Sequence, residues 1–231
     1  MSGVSRVETL DLPLRDFDWR FARERRAEID AHFEKLREHK PALWNGRVLL
    51  MHDHALSDCA LRGSYFETDF ASFVAWRDFG FPDAGIRNGF ALGALQGLDG
   101  GYVMGVMGAH TMNAGKIYFP GGTPDPSDLR NGQVDLESSV RREVMEETGL
   151  GADEFEFDAG WHCVAAGPML ALLKPMRARE TASRLRERIR DHIASEKTPE
   201  LADAFIARGA DDIDPMMPDF IRIFLRGAKS G

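Results

Sequence analysis

The chain has 231 residues, 43% of them apolar and 10% aromatic, which is enough to fill a core and excludes wholesale disorder. A net charge of −8 argues against non-specific binding to nucleic acid, whereas an anionic small substrate stays open because a bound divalent cation reverses the local field. The two cysteines, Cys59 and Cys163, make neither a disulfide framework nor a metal-ligand spacing, and a reducing cytoplasm fits best.

The opening stretch, MSGVSRVETLDLPLRDFDWR, mixes both charges, has no apolar h-region and reads as no signal peptide. No run of about 18 apolar residues follows, which predicts a chain without a membrane-spanning helix. Residues 15–39 read as one charged amphipathic helix, with Ala22, Ile29, Phe33 and Leu36 on a stripe and Pro41 beyond its end. GRVLLMHDHALS and CALRGSYFETD read as two strands, and FASFVAWRDF as a short helix capped by Asp69. The turn-rich GFPDAGIRNG marks a boundary near residue 87, dividing an N-terminal extension, 1–86, from a second domain, 87–231.

Apolar runs on either side of Asp99-Gly100-Gly101 predict a β-hairpin. GKIYFPGG is then a short strand ending in glycines, TPDPSDLRNGQ a loop, and Asp135–Thr148 a helix. WHCVAAGPMLALLKPM supplies one or two strands. From Thr181 three helices are predicted: ASRLRERIRDHIASE, PELADAFIARG and MMPDFIRIFLRG. Strand, helix and strand in mid-chain, with helices on either side in sequence, predict a layered α/β architecture.

REVMEETGL, residues 142–150, sets three glutamates into five positions before a glycine. A charge run on a helix is ordinarily a solvated face, lying opposite the apolar stripe. At about 100° per residue, Leu136, Val140 and Val144 define that stripe, and Glu143 and Glu147 fall on its line, with Glu146 one step round. Carboxylates thus stand where a purely structural helix carries apolar side chains, a breach of patterning expected at functional sites. Carboxylates so placed raise one another's pKa unless positive charge sits among them. Arg142 falls beside Glu146 and away from Glu147, so a divalent cation is the simpler neutraliser. An all-oxygen donor set selects Mg²⁺ or Mn²⁺ over zinc. Upstream, Gly121 and Gly122 end a strand, where missing side chains let backbone approach a metal or phosphate closely. Gly149 reads as the residue that ends the helix in a left-handed turn.

At these residues the chain resembles the Nudix hydrolases, the MutT-like family with the signature G-x5-E-x7-R-E-U-x-E-E-x-G-U, where U is a bulky aliphatic residue. Arg142, Glu143, Val144, Glu146, Glu147, Gly149 and Leu150 meet its second half. The first half departs. The interval from Gly122 to Arg142 is six residues longer than in the signature, within TPDPSDLRNGQ, and Val134 occupies the place of the first glutamate. Asp135 or Glu137 would substitute. The resemblance implies a Nudix-type α/β/α sandwich with a mixed β-sheet, here with N-terminal and C-terminal helical additions. It implies Mg²⁺ or Mn²⁺ held by Glu143, Glu146 and Glu147 with the Gly122 carbonyl, and Arg142 orienting a glutamate. The activity implied is hydrolysis of a nucleoside diphosphate linked to another moiety, releasing a nucleoside monophosphate.

Such a hydrolysis needs a base for the attacking water. Glu146, off the Glu143–Glu147 ridge, is the candidate within the helix, and Glu180, Glu196 and Glu200 are candidates downstream. The extra N-terminal residues favour a nucleotide-sugar or similar diphosphate over house-cleaning of free nucleoside triphosphates. They would serve recognition, or dimerisation into a homodimer. A non-catalytic Nudix-like binding or regulatory module is the alternative of a different class, and the survival of all three glutamates stands against it. An RNA substrate is disfavoured by the acidic balance. Other features read as structural: His52 and His54, on one side of a strand, lack a third ligand; DDIDP, 211–215, is a helix-capping turn; the arginines of ASRLRERIR face solvent; and Trp44-Asn45-Gly46 is a turn.

Overall fold

The computed structural model describes residues 3–227. The first part of the chain comprises Val4–Val7 (β1), Thr9–Asp11 (β2), Arg20–Glu24 (α1), Arg26–His39 (α2), Arg47–Ser57 (β3), Ala60–Asp69 (β4) and Phe70–Asp78 (α3). Asn88–Gln96 (β5), Tyr102–Met107 (β6), Ile117–Tyr118 (β7), Gly121–Gly122 (β8), Leu129–Arg130 (β9) and Gln133–Val134 (β10) lead to the helix Leu136–Thr148 (α4). Phe155–Phe157 (β11), Trp161–Ala166 (β12), Met169–Ala178 (β13), Ala182–Ser195 (α5), Leu201–Ala207 (β14) and Asp219–Gly227 (α6) complete it. No described helix is long and apolar enough to cross a membrane.

The chain divides into two compact units: Met1–Glu8, Phe90–Gly122 and Leu136–Gly231 form one, Thr9–Gly89 and Thr123–Asp135 the other. This partition differs from a cut at residue 87 in two places. β1 pairs antiparallel with β12 in the large sheet, so it is no part of an N-terminal extension. Residues 123–135 group with the 9–89 segment.

In the first unit the sheet runs β1-β12-β13-β5-β6-β14, with β7, β8 and β11 paired onto β6, β5 and β13. Eight of the nine residues of β5 are buried, the mark of a strand covered on both faces. Phe90 meets Phe220 of α6, ring centroids 5.0 Å apart. Gly93, an odd number of residues on and so on the opposite face, lies against Val140 and Val144 of α4. Helices therefore cover both faces of the sheet, and the unit is an α/β/α sandwich. A Cβ at Gly93 would stand 2.5 Å from Met176 Sδ and 2.7 Å from Val144 Cγ2. Gly93→Ala is expected to destabilise the protein by about 1–3 kcal/mol through overpacking, read as a lower midpoint in urea.

PELADAFIARG is a strand, not a helix. Leu201, Ala204 and Phe205 have helical spacing, yet β14 pairs antiparallel with β6 from Leu201↔Met107 to Ala207↔Tyr102, with a bulge between Leu201 and Asp203. Ladder bonds to a neighbouring strand override a weak local preference. Arg190 of α5 grips Asp203 at 2.6 Å and 2.9 Å.

In the second unit β2 pairs parallel and β3 antiparallel with β4, a mixed sheet accompanied by α1, α2 and α3. The helix expected over 15–39 begins only at Arg20, after a stretch in which the Arg15 amide donates to the Tyr65 carbonyl at 2.8 Å, and it breaks at Arg25. Asp69 caps α3 by accepting from the Ser72 amide at 2.9 Å. A bulge between His52 and Ala55, with Asp53 at φ +49°, interrupts the alternation that would put His52 and His54 on one side. Asn45 and Gly46 are structural: the Asn45 side chain accepts from the Ala71 amide and the Gly46 carbonyl from Phe70. DDIDP falls across a 3-10 turn, Ala210–Asp212, and the residues after it, not directly at a helix start.

The segment read as a plain loop has structure. Its Asn131-Gly132 pair, at φ +52° and +77°, makes the tight turn of the β9–β10 hairpin. The hairpin is held by Leu14 donating to the Gly132 carbonyl at 3.0 Å and Val134 to the Leu12 carbonyl at 3.0 Å. The extra length between glycine turn and helix thus builds the second unit.

Candidate active site

The helix arithmetic holds on α4. Leu136, Val140 and Val144 are buried, and Glu147 is only 6% exposed on the same line. Glu143 is half-buried and Glu146 exposed, as their angles require. Gly149 has φ +69° and its amide donates to the Met145 carbonyl at 3.0 Å, ending the helix as expected.

The glycine turn meets this helix. The Gly121 amide donates to Glu147 Oε1 at 2.9 Å. Gly121 has φ +133°, and a Cβ there would lie 2.3 Å from the Ala91 carbonyl oxygen on β5, so no other residue fits without moving the strand. A Cβ on Gly122, which pairs with Ala91 of β5, would meet nothing within 4 Å, so the space on its Cβ side is free. Arg142 Nη1 donates to Glu143 at 2.6 Å and to Glu146 at 3.3 Å. Glu137, a possible replacement for the missing signature glutamate, pairs instead with the buried Lys174 at 2.7 Å.

Burial pushes the Glu147 carboxyl well above its ordinary value; the Gly121 bond opposes the shift, and Glu200, Glu143 and Glu146 add to it. Burial also raises Glu143 against the pull of Arg142, with Glu146 and Glu200 adding. Glu200, at the start of β14, is raised by burial, opposed by His110 and reinforced by Glu146 and Glu196. It is therefore the downstream candidate whose charge reaches the α4 glutamates. Glu180 is paired with Arg188 at 3.1 Å, and Glu196 stands 3.7 Å from His192. The Glu200 backbone is fixed from the loop after β6, the Gly108 amide donating to the Glu200 carbonyl at 2.8 Å.

One residue absent from the sequence reading joins the group. Tyr118 is 9% exposed, its hydroxyl accepts from Asn113 at 3.1 Å, and its pKa is raised by burial and by Glu147, Glu200 and Glu143. Nothing in IYFPGG marks Tyr118 as other than a core aromatic; its placement depends on where β7 docks.

Among the described residues, no three His, Cys, Asp or Glu side chains are gathered so that they could hold a metal as they stand. Glu143 is turned to Arg142 and Glu147 to the Gly121 amide, and these two bonds are what a cation would have to compete with. The donor set nevertheless suits a hard divalent ion: oxygen only, in carboxyls that burial holds above their ordinary values, beside a glycine with free space on its Cβ side.

These shifts have a measurable consequence. A carboxyl raised in the fold keeps a proton that the unfolded chain releases near 4.5, so stability falls as pH rises from that value through the folded one. The melting temperature of metal-free protein is expected to decline as pH rises above the unfolded value of 4.5, and saturating Mg²⁺ to flatten the decline. A melting temperature that rises with pH above that value would contradict the burial of these carboxyls.

No protein-family model matches the chain, and no curated protein matches it. Solved structures similar to it include a Nudix hydrolase from M. smegmatis, RenU, at 16% identity over 60% of this chain and 80% of that one, TM-score 0.36. A MutT protein from Methanosarcina mazei Go1 aligns at 17% identity over 60% of this chain and 90% of its own, TM-score 0.38. The Bacillus subtilis pyrophosphohydrolase BsRppH aligns at 13% identity over 56% and 66%, TM-score 0.29.

Proposed function

We propose that the chain is a Nudix-type pyrophosphohydrolase that splits a nucleoside diphosphate linked to another group and releases a nucleoside monophosphate. The observation that carries this reading is the buried Glu147, bonded to the Gly121 amide of the glycine turn at 2.9 Å, with Glu143, Glu146 and Glu200 near enough to raise its carboxyl further. A buried carboxyl among like charges suits a divalent cation.

Glu143, Glu146, Glu147 and the Gly122 carbonyl would hold Mg²⁺ or Mn²⁺, which when bound neutralises charge on the phosphoryl oxygens. Arg142 orients Glu143 and Glu146, and the Gly121 amide fixes Glu147. Water oxygen bonds to phosphorus, the anhydride P–O bond breaks, and the proton of the water passes to a carboxylate. Both side chains are exposed, but Glu146 is tied to Arg142, whereas the Glu200 carboxyl is raised by desolvation and by Glu146 and Glu196, which suits a general base. We assign the base to Glu200 and leave Glu146 to the metal. A nucleotide-sugar is the first substrate class, with residues 9–89 and 123–135 as a compact unit free to serve recognition. A reducing cytoplasm is the compartment that fits.

The test is a panel of nucleoside diphosphate derivatives and nucleoside triphosphates, with products separated by chromatography in Mg²⁺, Mn²⁺ and EDTA. Metal-dependent release of a nucleoside monophosphate from a diphosphate derivative is the expected result. Turnover of triphosphates alone would move the chain to house-cleaning, and silence throughout, with Mn²⁺ still bound, to a binding module.

A further inference from the structure

A helix leaves its last carbonyls without partners inside itself. On α4 those carbonyls belong to the turn that carries Glu146 and Glu147, and partners close two of them together with the Val144 carbonyl just before. The Val144 carbonyl accepts from Thr148 Oγ1 at 2.5 Å and the Met145 carbonyl from the Gly149 amide at 3.0 Å. The Glu146 carbonyl accepts from His192 Nε2 at 3.0 Å. The first two bonds are local, while the third comes from α5. A carbonyl only accepts, so His192 carries a proton on Nε2. A donor in this position also complements the negative end of the helix dipole.

The ring of His192 lies where a side chain at residue 149 would be. A Cβ on Gly149 would stand 2.6 Å from Nδ1 and 2.7 Å from Cγ of His192. Gly149 thus serves twice, supplying the left-handed turn and leaving room for the imidazole. Glu196, one turn on along α5, places its carboxylate 3.7 Å from the same Nε2.

We propose that His192 is a positioning residue that holds the C-terminal turn of α4 closed and so sets where the Glu146 and Glu147 carboxylates stand. This rests on the reading of those two glutamates as metal ligands. The Glu147 carboxylate reaches the Gly121 amide at 2.9 Å, a bond that survives only while the backbone at 147 stays helical. Fraying by one turn would move both ligands at once.

The experiment uses the full chain with His192→Ala and His192→Gln, Mn²⁺ alone as the probe by calorimetry, and hydrogen exchange of metal-free protein. One hydrogen bond of ordinary strength corresponds to a change of about fivefold. His192→Ala is expected to weaken Mn²⁺ binding and to speed exchange of the Thr148 and Gly149 amides by about that factor, leaving the sheet amides as they were. His192→Gln, which still offers an N–H, is expected to recover most of both. Unchanged exchange at Thr148 and Gly149 in His192→Ala overturns the proposal. So does a general loss of protection that glutamine does not restore. Faster local exchange without any change in Mn²⁺ affinity overturns the link to the ligands. If the unaltered chain binds no Mn²⁺, the metal reading fails, and the exchange rates alone decide whether His192 holds the turn.

Discussion

Glu147→Gln is expected to lower turnover by about three orders of magnitude, equivalent to about 4 kcal/mol of lost transition-state stabilisation, while making the metal-free protein more stable. Both halves follow from one geometry. Glu147 is 6% exposed on the apolar line of α4, and its one hydrogen bond among the described residues comes from the Gly121 amide. Glutamine keeps that acceptor and nearly the same shape. It removes the charge that burial and three neighbouring carboxylates disfavour. The gain should be about 1 kcal/mol, or about 2–4 °C in melting temperature, and should grow with pH because the native glutamate becomes harder to keep protonated. Loss of the charge should also abolish Mn²⁺ binding, since a neutral amide is a poor substitute ligand for a hard cation. Turnover close to that of the unaltered chain would sink the site. A fall in metal-free melting temperature would count against the burial argument alone.

Glu200→Gln should separate chemistry from metal binding. A positioned base contributes about 10²–10⁴-fold, so kcat is expected to fall by that factor. Mn²⁺ affinity should hold or fall only slightly, because Glu200 adds negative charge near the α4 glutamates without being proposed as a ligand. The pH profile should lose its acidic limb. Glu180→Gln and Glu196→Gln serve as controls: Glu180 sits by Arg188 and Glu196 by His192, and neither should lower kcat as far. If Glu146→Gln instead removes activity with Mn²⁺ affinity intact and Glu200→Gln does not, the base lies on the helix, as the offset of Glu146 from the ridge first suggested.

The candidate site was legible in sequence where its logic is local. Helical spacing alone placed Glu143 and Glu147 on the line of Leu136, Val140 and Val144, and the buried Glu147 follows from that spacing. Gly149 was legible for the same reason, since the end of one helix is decided within a few residues. Asp69 capping α3 and the strands β3 and β4 belong to the same category.

What needed tertiary structure was everything set by a distant partner. LADAFIA carries the spacing of a helix and becomes β14 because β6 offers a ladder, and that pairing brings Glu200 to the glutamates of α4. TPDPSDLRNGQ contains an Asn-Gly turn signal, but two-residue strands leave no periodicity to read, and they exist because Leu12 and Leu14 bond to them. Val4–Val7 joins the sheet through β12, although more than 150 residues separate them in sequence. Spacing within one element is a property of the chain, fixed by φ, ψ and side-chain size. Pairing between elements depends on which unsatisfied donors, acceptors and apolar faces meet once the chain has folded, and that choice was made only in three dimensions.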